Sequence, residues 1–368
     1  MLELSTADDA SLVSLVESLG APAWRAEQLS RAAWQPGVSA LDDARVLPAA
    51  LRGELDRVLR FRTVDVARVD ETDGGMTLKL LCALRDGETI ETVAMETRAT
   101  GSASRRSTVC VSTQVGCAVG CPFCATGRLG LRRSCTAAEI VDQVRAAGAE
   151  LSSRELGPVT HVVYMGMGEP LANVDAVLRS LAVLTERAGI GARRITVSTS
   201  GVVPGIDALA DSGLPVTLAI SLHASDDALR DRLVPLNRAH DLSAVTAAGA
   251  RYAARTGRRL TLEWCLIGGI NDSVEQAAGL RRIARELHAH VNVIPMNHID
   301  GSPWGPPDAS VARRFLAELR GVRTTVRDTR GADSDAACGQ LRASLEERRL
   351  LRPDGTLGPQ RRPATVAR

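Results

Sequence analysis

Aromatic residues are scarce in this chain of 368 residues, where Phe, Trp and Tyr together make up only 2%. Apolar residues still reach 45%, so a folded core has to be built mainly from Ala, Val, Leu and Ile. The sequence also lacks an apolar run of membrane-spanning length and a secretory signal, which predicts a cytoplasmic protein with no membrane partner. A chain of this length can form one α/β domain of about 250 residues and a smaller one.

Lysine is almost absent. Lys79 is the only lysine, and the other side chains in the Lys and Arg total are all arginines. GC-rich codon usage explains this bias without a functional cause. The formal net charge of +2 is too small to indicate a nucleic-acid partner by itself. The eight cysteines do not follow the pattern of a small secreted disulfide framework, so their chemistry has to be sought in their spacing.

Three of the cysteines lie in one short loop with the spacing C-x3-C-x2-C, at Cys117, Cys121 and Cys124. Three thiolates so placed can hold three corners of a [4Fe-4S] cube and leave the fourth iron open to a substrate. A structural zinc site is the alternative, but zinc usually takes two separated ligand pairs, and no second pair follows. The spacing, with Phe123 before the third cysteine, resembles the signature of radical S-adenosylmethionine (SAM) enzymes.

The first third of the chain predicts two different layers. Residues 1–60 show helical periodicity at 10–19, 23–33 and 48–59, which predicts a helical accessory domain. Its arginines could contact RNA, and a solvated charged face is the alternative. Residues 61–107 alternate with a period of two at 62–69, 76–84 and 89–95, which predicts a β-hairpin layer. The arginine-rich residues 341–368 lack apolar periodicity and are predicted to form a mobile tail.

Residues 108–340 alternate between strand and helix patterns, which predicts an α/β fold, a partial (βα)6 barrel with parallel strands. The predicted strands are 108–112, 161–165, 194–198, 216–222, 259–266 and 291–295, with an edge strand at 323–327. Catalytic groups of such barrels lie at the carboxyl ends of the strands. Polar side chains and the cysteine loop follow five of the six strands, which predicts one site on this rim.

Four runs of sequence then resemble one family, the RlmN/Cfr family of radical SAM RNA methyltransferases. They are RSTVCVSTQVGC at 106–117, GMGEPL at 166–171, TRG at 329–331 and DAACGQ at 335–340. The resemblance extends from about residue 20 to residue 341. It implies a radical SAM barrel, a [4Fe-4S] cluster, two SAM molecules per turnover, and an electron donor such as flavodoxin or ferredoxin. It also implies an RNA substrate, which is large-subunit ribosomal RNA with transfer RNA as a further candidate.

The resemblance assigns the cluster to Cys117, Cys121 and Cys124. It assigns SAM binding to seven residues, namely Gly168, Glu169, Ser198, Ser221, Leu222, His223 and Asn297. Their carboxylate, hydroxyl, imidazole and amide groups can bind the ammonium, ribose and adenine of SAM. Taken singly, the two serines could be turn formers, the histidine a core residue and the asparagine a loop cap. Their shared rim favours the binding site.

Three further residues receive catalytic roles from the resemblance. Cys338 accepts a methyl group from a first SAM and becomes S-methylcysteine. Cys110 then attacks Cys338 to form a transient disulfide that releases the product, and Glu91 accepts the proton that leaves the adenine ring. Taken alone, either cysteine could be an inert core residue, and Glu91 could be an exposed strand carboxylate. Cys82, Cys135 and Cys265 match no motif and are predicted to be structural.

The family divides by the adenosine carbon that is methylated, and the motifs of this chain favour carbon-2, as in RlmN, over carbon-8, as in Cfr, which confers antibiotic resistance. The run 262–265, LEWC, departs from the family pattern on the substrate side. Three other functions remain open. They are methylation of a small heteroaromatic metabolite by the same mechanism, plain electron transfer, and RNA binding without catalysis.

Overall fold

The structure is a computed structural model, and it describes residues 1–35, 38–97, 105–299, 302–327 and 339–341. The amino-terminal elements are β1 (Leu2–Glu3), α1 (Asp9–Ser18), α2 (Trp24–Ala32), α3 (Ala49–Val58) and β2 (Leu59–Arg60). Asp8 starts α1 by accepting a hydrogen bond from the Ser11 amide at 2.6 Å. Leu12, Leu29 and Leu55 are fully buried in a core of their own. The three predicted helices are therefore present, each within one residue of its predicted ends.

Four antiparallel strands follow. They are β3 (Val64–Thr72), β4 (Thr77–Leu84), β5 (Thr89–Thr97) and β6 (Arg106–Cys110). The predicted hairpin strands are thus confirmed, and they extend the same sheet that carries the parallel strands. The domain boundaries that we predict at 60/61, 107/108 and 340/341 remain a proposal. The boundary at 107/108 does not separate two sheets, because the strands on both sides of it belong to one sheet.

The rest of the described chain alternates between strands and helices. Its elements are β7 (Gln114–Gly116), α4 (Ala125–Arg128), β8 (Leu131–Ser134), α5 (Ala137–Ser153), β9 (His161–Tyr164), α6 (Val174–Glu186), β10 (Ile195–Thr199), α7 (Val203–Asp211), β11 (Thr217–Ser221), α8 (Asp227–Leu233), α9 (Leu242–Thr256), β12 (Thr261–Leu266), α10 (Val274–Glu286), β13 (His290–Pro295), α11 (Ala309–Glu318) and β14 (Thr324–Val326). The predicted strands of the barrel correspond to β6 and to β9 to β14.

One ten-stranded sheet organises the molecule, in the order β14-β13-β12-β11-β10-β9-β6-β5-β4-β3. In this sheet β6 and β9 to β14 pair in parallel, as the alternating pattern predicts, whereas β7 and β8 form a separate antiparallel pair. Within the described residues the sheet has two free edges and does not close, so the prediction of a partial α/β barrel is confirmed. Two of the few aromatic residues pack together in the core, where the ring centroids of Trp264 and Phe315 are 5.8 Å apart.

Parallel pairing in chain order brings the carboxyl ends of the strands to one rim. That rim is where the predicted SAM-binding residues lie, because each follows a strand of the sheet or lies at its carboxyl end. Of the predicted tail, only Leu341 is among the described residues; its carbonyl oxygen accepts a hydrogen bond from Thr126 Oγ1 at 2.6 Å. No helix in the described ranges has both the length and the apolar character needed to cross a bilayer.

Candidate active site

The cysteine loop lies between β7 and α4 and is held tightly against β8. The Cys117 amide donates a hydrogen bond to the Gly130 carbonyl oxygen at 3.1 Å. Gly116 has φ of 79°, and a Cβ atom there would lie 1.8 Å from the same oxygen. Only glycine satisfies both conditions, so the residue before the first cysteine sets the path of the loop.

The three thiols of the loop are buried or half-buried and lie close enough to interact electrostatically. Burial raises the pKa of Cys117 to about 12, against the effect of hydrogen bonds from the amides of Val119 and Gly120. Burial also raises the pKa of Cys121 well above its usual value, and the neighbouring thiols add to this effect. Thiolates in this setting require a bound cation. Iron supplies that charge, and amide hydrogen bonds to sulfur are a common feature of iron–sulfur sites.

No group of three His, Cys, Asp or Glu side chains within the described ranges is arranged around one metal ion. A cube makes a different demand, because each thiolate binds its own iron. The loop packs among apolar side chains that include Phe123, Leu233 and Ile267, which keeps water away from the sulfur atoms. The donor set and its surroundings therefore fit a three-cysteine cluster.

An open cavity of about 840 Å³ lies beside the loop. It is lined by Cys124 and by six of the seven predicted SAM-binding residues, namely Gly168, Glu169, Ser198, Ser221, His223 and Asn297. Leu222 is fully buried and lies behind the wall, where its amide donates a hydrogen bond to the Glu263 carbonyl oxygen at 3.0 Å. Residues that are far apart in the sequence, such as Cys124 and Asn297, thus form one cavity.

Glu169 is a buried carboxylate whose two oxygens are already used. One accepts hydrogen bonds from the Leu171 amide at 3.0 Å and from Thr199 Oγ1 at 2.7 Å, and the other accepts one from the Ser200 amide at 2.7 Å. Burial raises the pKa of Glu169, and these hydrogen bonds oppose the rise. The carboxylate therefore ties the end of β9 to the end of β10. What it offers a ligand is mainly negative charge at the cavity wall.

His223 follows β11 in a left-handed backbone conformation, with φ of 60°, that is uncommon for residues other than glycine. Its Nδ1 accepts a hydrogen bond from the Cys265 amide at 2.9 Å, so Nε2 carries the proton in the neutral ring. Its ring meets the edge of Phe123 at a centroid distance of 4.9 Å. Burial, assisted by the nearby Arg230 cation, lowers the pKa of His223 to about 3. The imidazole is therefore a neutral donor at physiological pH.

This burial predicts a pH-dependent contribution to stability. The unfolded chain binds the His223 proton near pH 6.5 and the folded chain only near pH 3, so the contribution is complete above pH 6.5 and is lost as the pH falls. We expect the difference in unfolding free energy between wild type and His223→Asn to shrink by about 2 kcal/mol between pH 7.5 and pH 5. Anaerobic urea unfolding measures it. A difference that is independent of pH would contradict the assignment.

Arg230 is a functional residue that the sequence did not indicate. It is fully buried on α8, and its guanidinium donates hydrogen bonds to the carbonyl oxygens of Ser200 at 2.6 Å, Leu222 at 3.1 Å and Ser221 at 3.3 Å. Burial lowers its pKa to about 10, so it remains a cation. Arg230 therefore clamps the carboxyl ends of β10 and β11, which carry the two serines predicted to bind SAM, Ser198 and Ser221. One signal was present, because Arg230 lies one helical turn before buried Leu233.

Replacing Arg230 by Met is expected to lower the unfolding free energy by at least about 3 kcal/mol, because three buried carbonyl oxygens each lose a charged hydrogen-bond donor. Urea unfolding of the purified protein measures the loss. Arg232→Met is the matched control, since Arg232 is exposed on the same helix and its loss is expected to change stability by less than about 0.5 kcal/mol. Equal losses of stability in the two variants would contradict the role of Arg230 in holding the two strand ends together.

Three further side chains in the cavity wall escaped sequence analysis. Glu263 and Arg327 both line the cavity, and so does Cys265, which was predicted to be structural. Glu263 is buried, which raises its pKa, although Arg327 and a 2.7 Å hydrogen bond from Asn292 Nδ2 favour its ionised form. The atypical run at 262–265 is thus part of the cavity. A strand residue cannot be placed on the inner face until the register of its neighbours is known.

The structure describes two of the three predicted catalytic residues. Cys110 ends β6 as a buried thiol, and no disulfide joins two cysteines of the described ranges. Glu91 is fully buried on β5, so the alternative of an exposed carboxylate is wrong. Cys338 lies outside the described residues. Its successor Gly339 lines the cavity, and the Gly339 carbonyl oxygen accepts a hydrogen bond from the Ala125 amide at 2.8 Å.

A parallel α/β sheet with a three-cysteine loop and a polar cavity at its carboxyl rim defines a radical SAM enzyme. The model of the Radical SAM superfamily accordingly matches residues 111–280. A crystal structure of a radical SAM methyltransferase from Sphaerobacter thermophilus matches with a TM-score of 0.88 and 45% identity, covering 94% of this chain and all of that one. This similarity extends the assignment well beyond the superfamily segment.

Curated relatives narrow the assignment from the superfamily to one family. A probable dual-specificity RNA methyltransferase RlmN from a Parafrankia species is 46% identical, with 90% of this chain and 89% of that protein covered. A protein with the same description from Moorella thermoacetica is 44% identical, with 91% and 96% covered. The chain belongs to the RlmN family of radical SAM RNA methyltransferases.

Proposed function

We propose that this enzyme methylates carbon-2 of an adenosine in large-subunit ribosomal RNA, with transfer RNA as a second substrate. The observation that carries the proposal is the single cavity in which six predicted SAM-binding residues meet the cysteine loop. The description of the relatives as dual-specificity RNA methyltransferases supports RNA as the substrate and supports two kinds of target. We further propose that it acts in the cytoplasm, where reducing conditions preserve thiolates, and that a flavodoxin or ferredoxin donates electrons.

The residues divide into those that bind and those that react. Cys117, Cys121 and Cys124 would hold the cluster, and the cavity residues would hold SAM through hydrogen-bond donors such as His223 Nε2. Bound together, a [4Fe-4S] cluster and SAM supply a 5′-deoxyadenosyl radical and an acceptor for one electron. The apolar packing around the loop excludes water from this chemistry. One SAM would be consumed as methyl donor and a second as radical source.

Covalent catalysis accounts for the remaining residues, because an adenine ring carbon is not nucleophilic enough to take a methyl group from a sulfonium. Cys338 would carry the methyl group, and loss of one of its hydrogen atoms would allow that carbon to bond to the ring. Glu91 would take the proton from the ring carbon. Attack of Cys110 on Cys338 would form a disulfide and break the bond between sulfur and the transferred carbon. The position of Gly339 in the cavity wall supports the role of its neighbour.

Mass spectrometry of methyladenosines tests the proposal most directly. Ribosomal RNA and transfer RNA are compared in cells with and without this protein, against authentic 2-methyladenosine and 8-methyladenosine. Loss of 2-methyladenosine from both RNAs is the expected result. The appearance of 8-methyladenosine would assign the protein to the Cfr type instead, and no change in either nucleoside would direct attention to a small heteroaromatic substrate.

A further inference from the structure

Lys79 stands alone among 45 lysine and arginine residues. In a chain where arginine occupies every other such position, a retained lysine indicates that a guanidinium is not equivalent there. The structure places Lys79 within β4, and the residue is only 6% exposed. A buried ammonium is unfavourable without a counter-charge. The residue that supplies this counter-charge therefore indicates the role of Lys79.

That partner is Glu91 on the adjacent strand β5. Lys79 Nζ lies 3.2 Å from Glu91 Oε1, and the side chains are 8% and 0% exposed. A carboxyl group buried this completely would bind a proton at neutral pH if it had no cation beside it. The ammonium favours the ionised form, which is the form that can accept a proton. The charge of Lys79 therefore favours the form of Glu91 that can act as a base.

Sheet register places this pair on the same face as Cys110. Lys79 is directly opposite Val93, and Val93 is directly opposite Cys110. Opposed residues share a face, and Glu91 shares it as well because it lies two residues before Val93. Thr92 points to the other face, where its hydroxyl donates a hydrogen bond to Gln143 Oε1 on α5 at 2.8 Å.

A second acidic residue, Asp70, also adjoins Lys79. Asp70 is opposite Lys79 on β3, but its carboxylate accepts a hydrogen bond from Arg68 Nε at 3.0 Å. Asp70 is also about one-third exposed, so water screens its charge. Glu91, which is fully buried, is the carboxylate on which the charge of Lys79 acts most strongly.

We propose that Lys79 is a positioning residue for proton transfer, whose ammonium keeps the Glu91 carboxylate ionised and in place to receive the proton from the adenine ring carbon. The inference rests on the proposed function, in which Glu91 is the acceptor. In this step the ring C–H bond breaks, its electron pair stays with the ring, and an O–H bond forms on Glu91. No bond to Lys79 changes. A compact ammonium suits the site better than a guanidinium with five N–H donors to satisfy.

The test uses cluster-loaded Lys79→Met enzyme and RNA that carries deuterium at the target carbon. Methyl loading of Cys338 and release of 5′-deoxyadenosine are expected to persist, because neither needs Glu91. Product formation is expected to fall at least about tenfold, a covalent protein–RNA adduct to accumulate, and the deuterium isotope effect to exceed that of wild type. Lys79→Arg restores the charge and is expected to regain part of the lost rate.

Arg145→Met is the matched control. Arg145 and Asp142 form another buried ion pair, with Nη1 and Oδ1 2.8 Å apart and side chains 8% and 1% exposed, but they lie on α5. This variant is expected to lose stability without a change in isotope effect or adduct level. The same signature in both variants, or an unchanged isotope effect in Lys79→Met, would overturn the proposal.

Infrared difference spectra separate this inference from the proposed function, because they do not depend on turnover. Subtracting the Glu91→Gln spectrum isolates the Glu91 carboxyl group. An ionised carboxylate in wild type and a protonated carboxylic acid in Lys79→Met are expected. An ionised Glu91 in both would defeat the role of Lys79 even in an enzyme that methylates RNA. The expected spectra from an enzyme inactive on RNA would instead count against the proposed function alone.

Discussion

Cys121→Ala is expected to abolish formation of 5′-deoxyadenosine and all RNA methylation. Cys121 is the middle thiol of the loop and is almost fully buried beside Cys117 and Cys124. Two remaining thiolates cannot hold a cube at three corners, so the variant loses the site at which SAM is cleaved. Anaerobic reconstitution followed by iron analysis, the visible absorption spectrum and quantification of 5′-deoxyadenosine measures the effect.

Cys135→Ala is the matched control for this experiment. Cys135 is as deeply buried, but it lies after β8 and outside the loop. We expect Cys135→Ala to keep its iron content and its rate of SAM cleavage, apart from a small loss of stability. A Cys121→Ala protein that still forms 5′-deoxyadenosine would contradict the three-cysteine site. Loss of iron from both variants would show that the cluster depends on packing rather than on ligation.

The two reactive cysteines are expected to fail at different steps when each is replaced. Cys338→Ala should block methyl loading of the protein, and Cys110→Ala should permit loading but trap a covalent protein–RNA adduct. Both should reduce RNA methylation on the order of 10³-fold or more, since a nucleophile has been removed. Mass spectrometry of the intact protein detects the methyl group, and denaturing gels with labelled RNA detect the adduct.

The order of events makes this result informative. The Cys110 thiol ends β6, whereas Gly339, the successor of Cys338, lines the cavity beside the cysteine loop. A Cys110→Ala enzyme without adduct but with intact methyl loading would assign product release to another group. The double variant is expected to behave as Cys338→Ala alone, because nothing is loaded for Cys110 to release.

Much of this architecture could be predicted from local patterns. Strand and helix periods are local properties, and parallel strands in chain order follow from their alternation. The edge strand at 323–327 and the hairpin at 76–95 were therefore found with nearly their observed bounds. Five of the cavity residues, including His223 and Asn297, could be placed because they follow or end a predicted strand.

Side chains within strands and helices were harder to place. Glu263 and Arg230 belong to regular elements, and either could have faced solvent as far as spacing shows. The row of paired residues from Ser221 to Glu263 to Asn292 exists only once β11, β12 and β13 are in register. In the same way, burial of Glu91 depends on the neighbouring strands and not on the alternating pattern of its own.

By itself the sequence determined the cysteine spacing, the order of the elements and the family. These depend on residues that are close in the sequence and on the periodicity of strands and helices, and folding alters neither. Only the tertiary structure decided that Arg230 clamps two strand ends, that Glu263 faces the cavity and that the one lysine neutralises Glu91. Each of these depends on desolvation and on distances between residues on different elements, and those quantities are defined only once the sheet has formed.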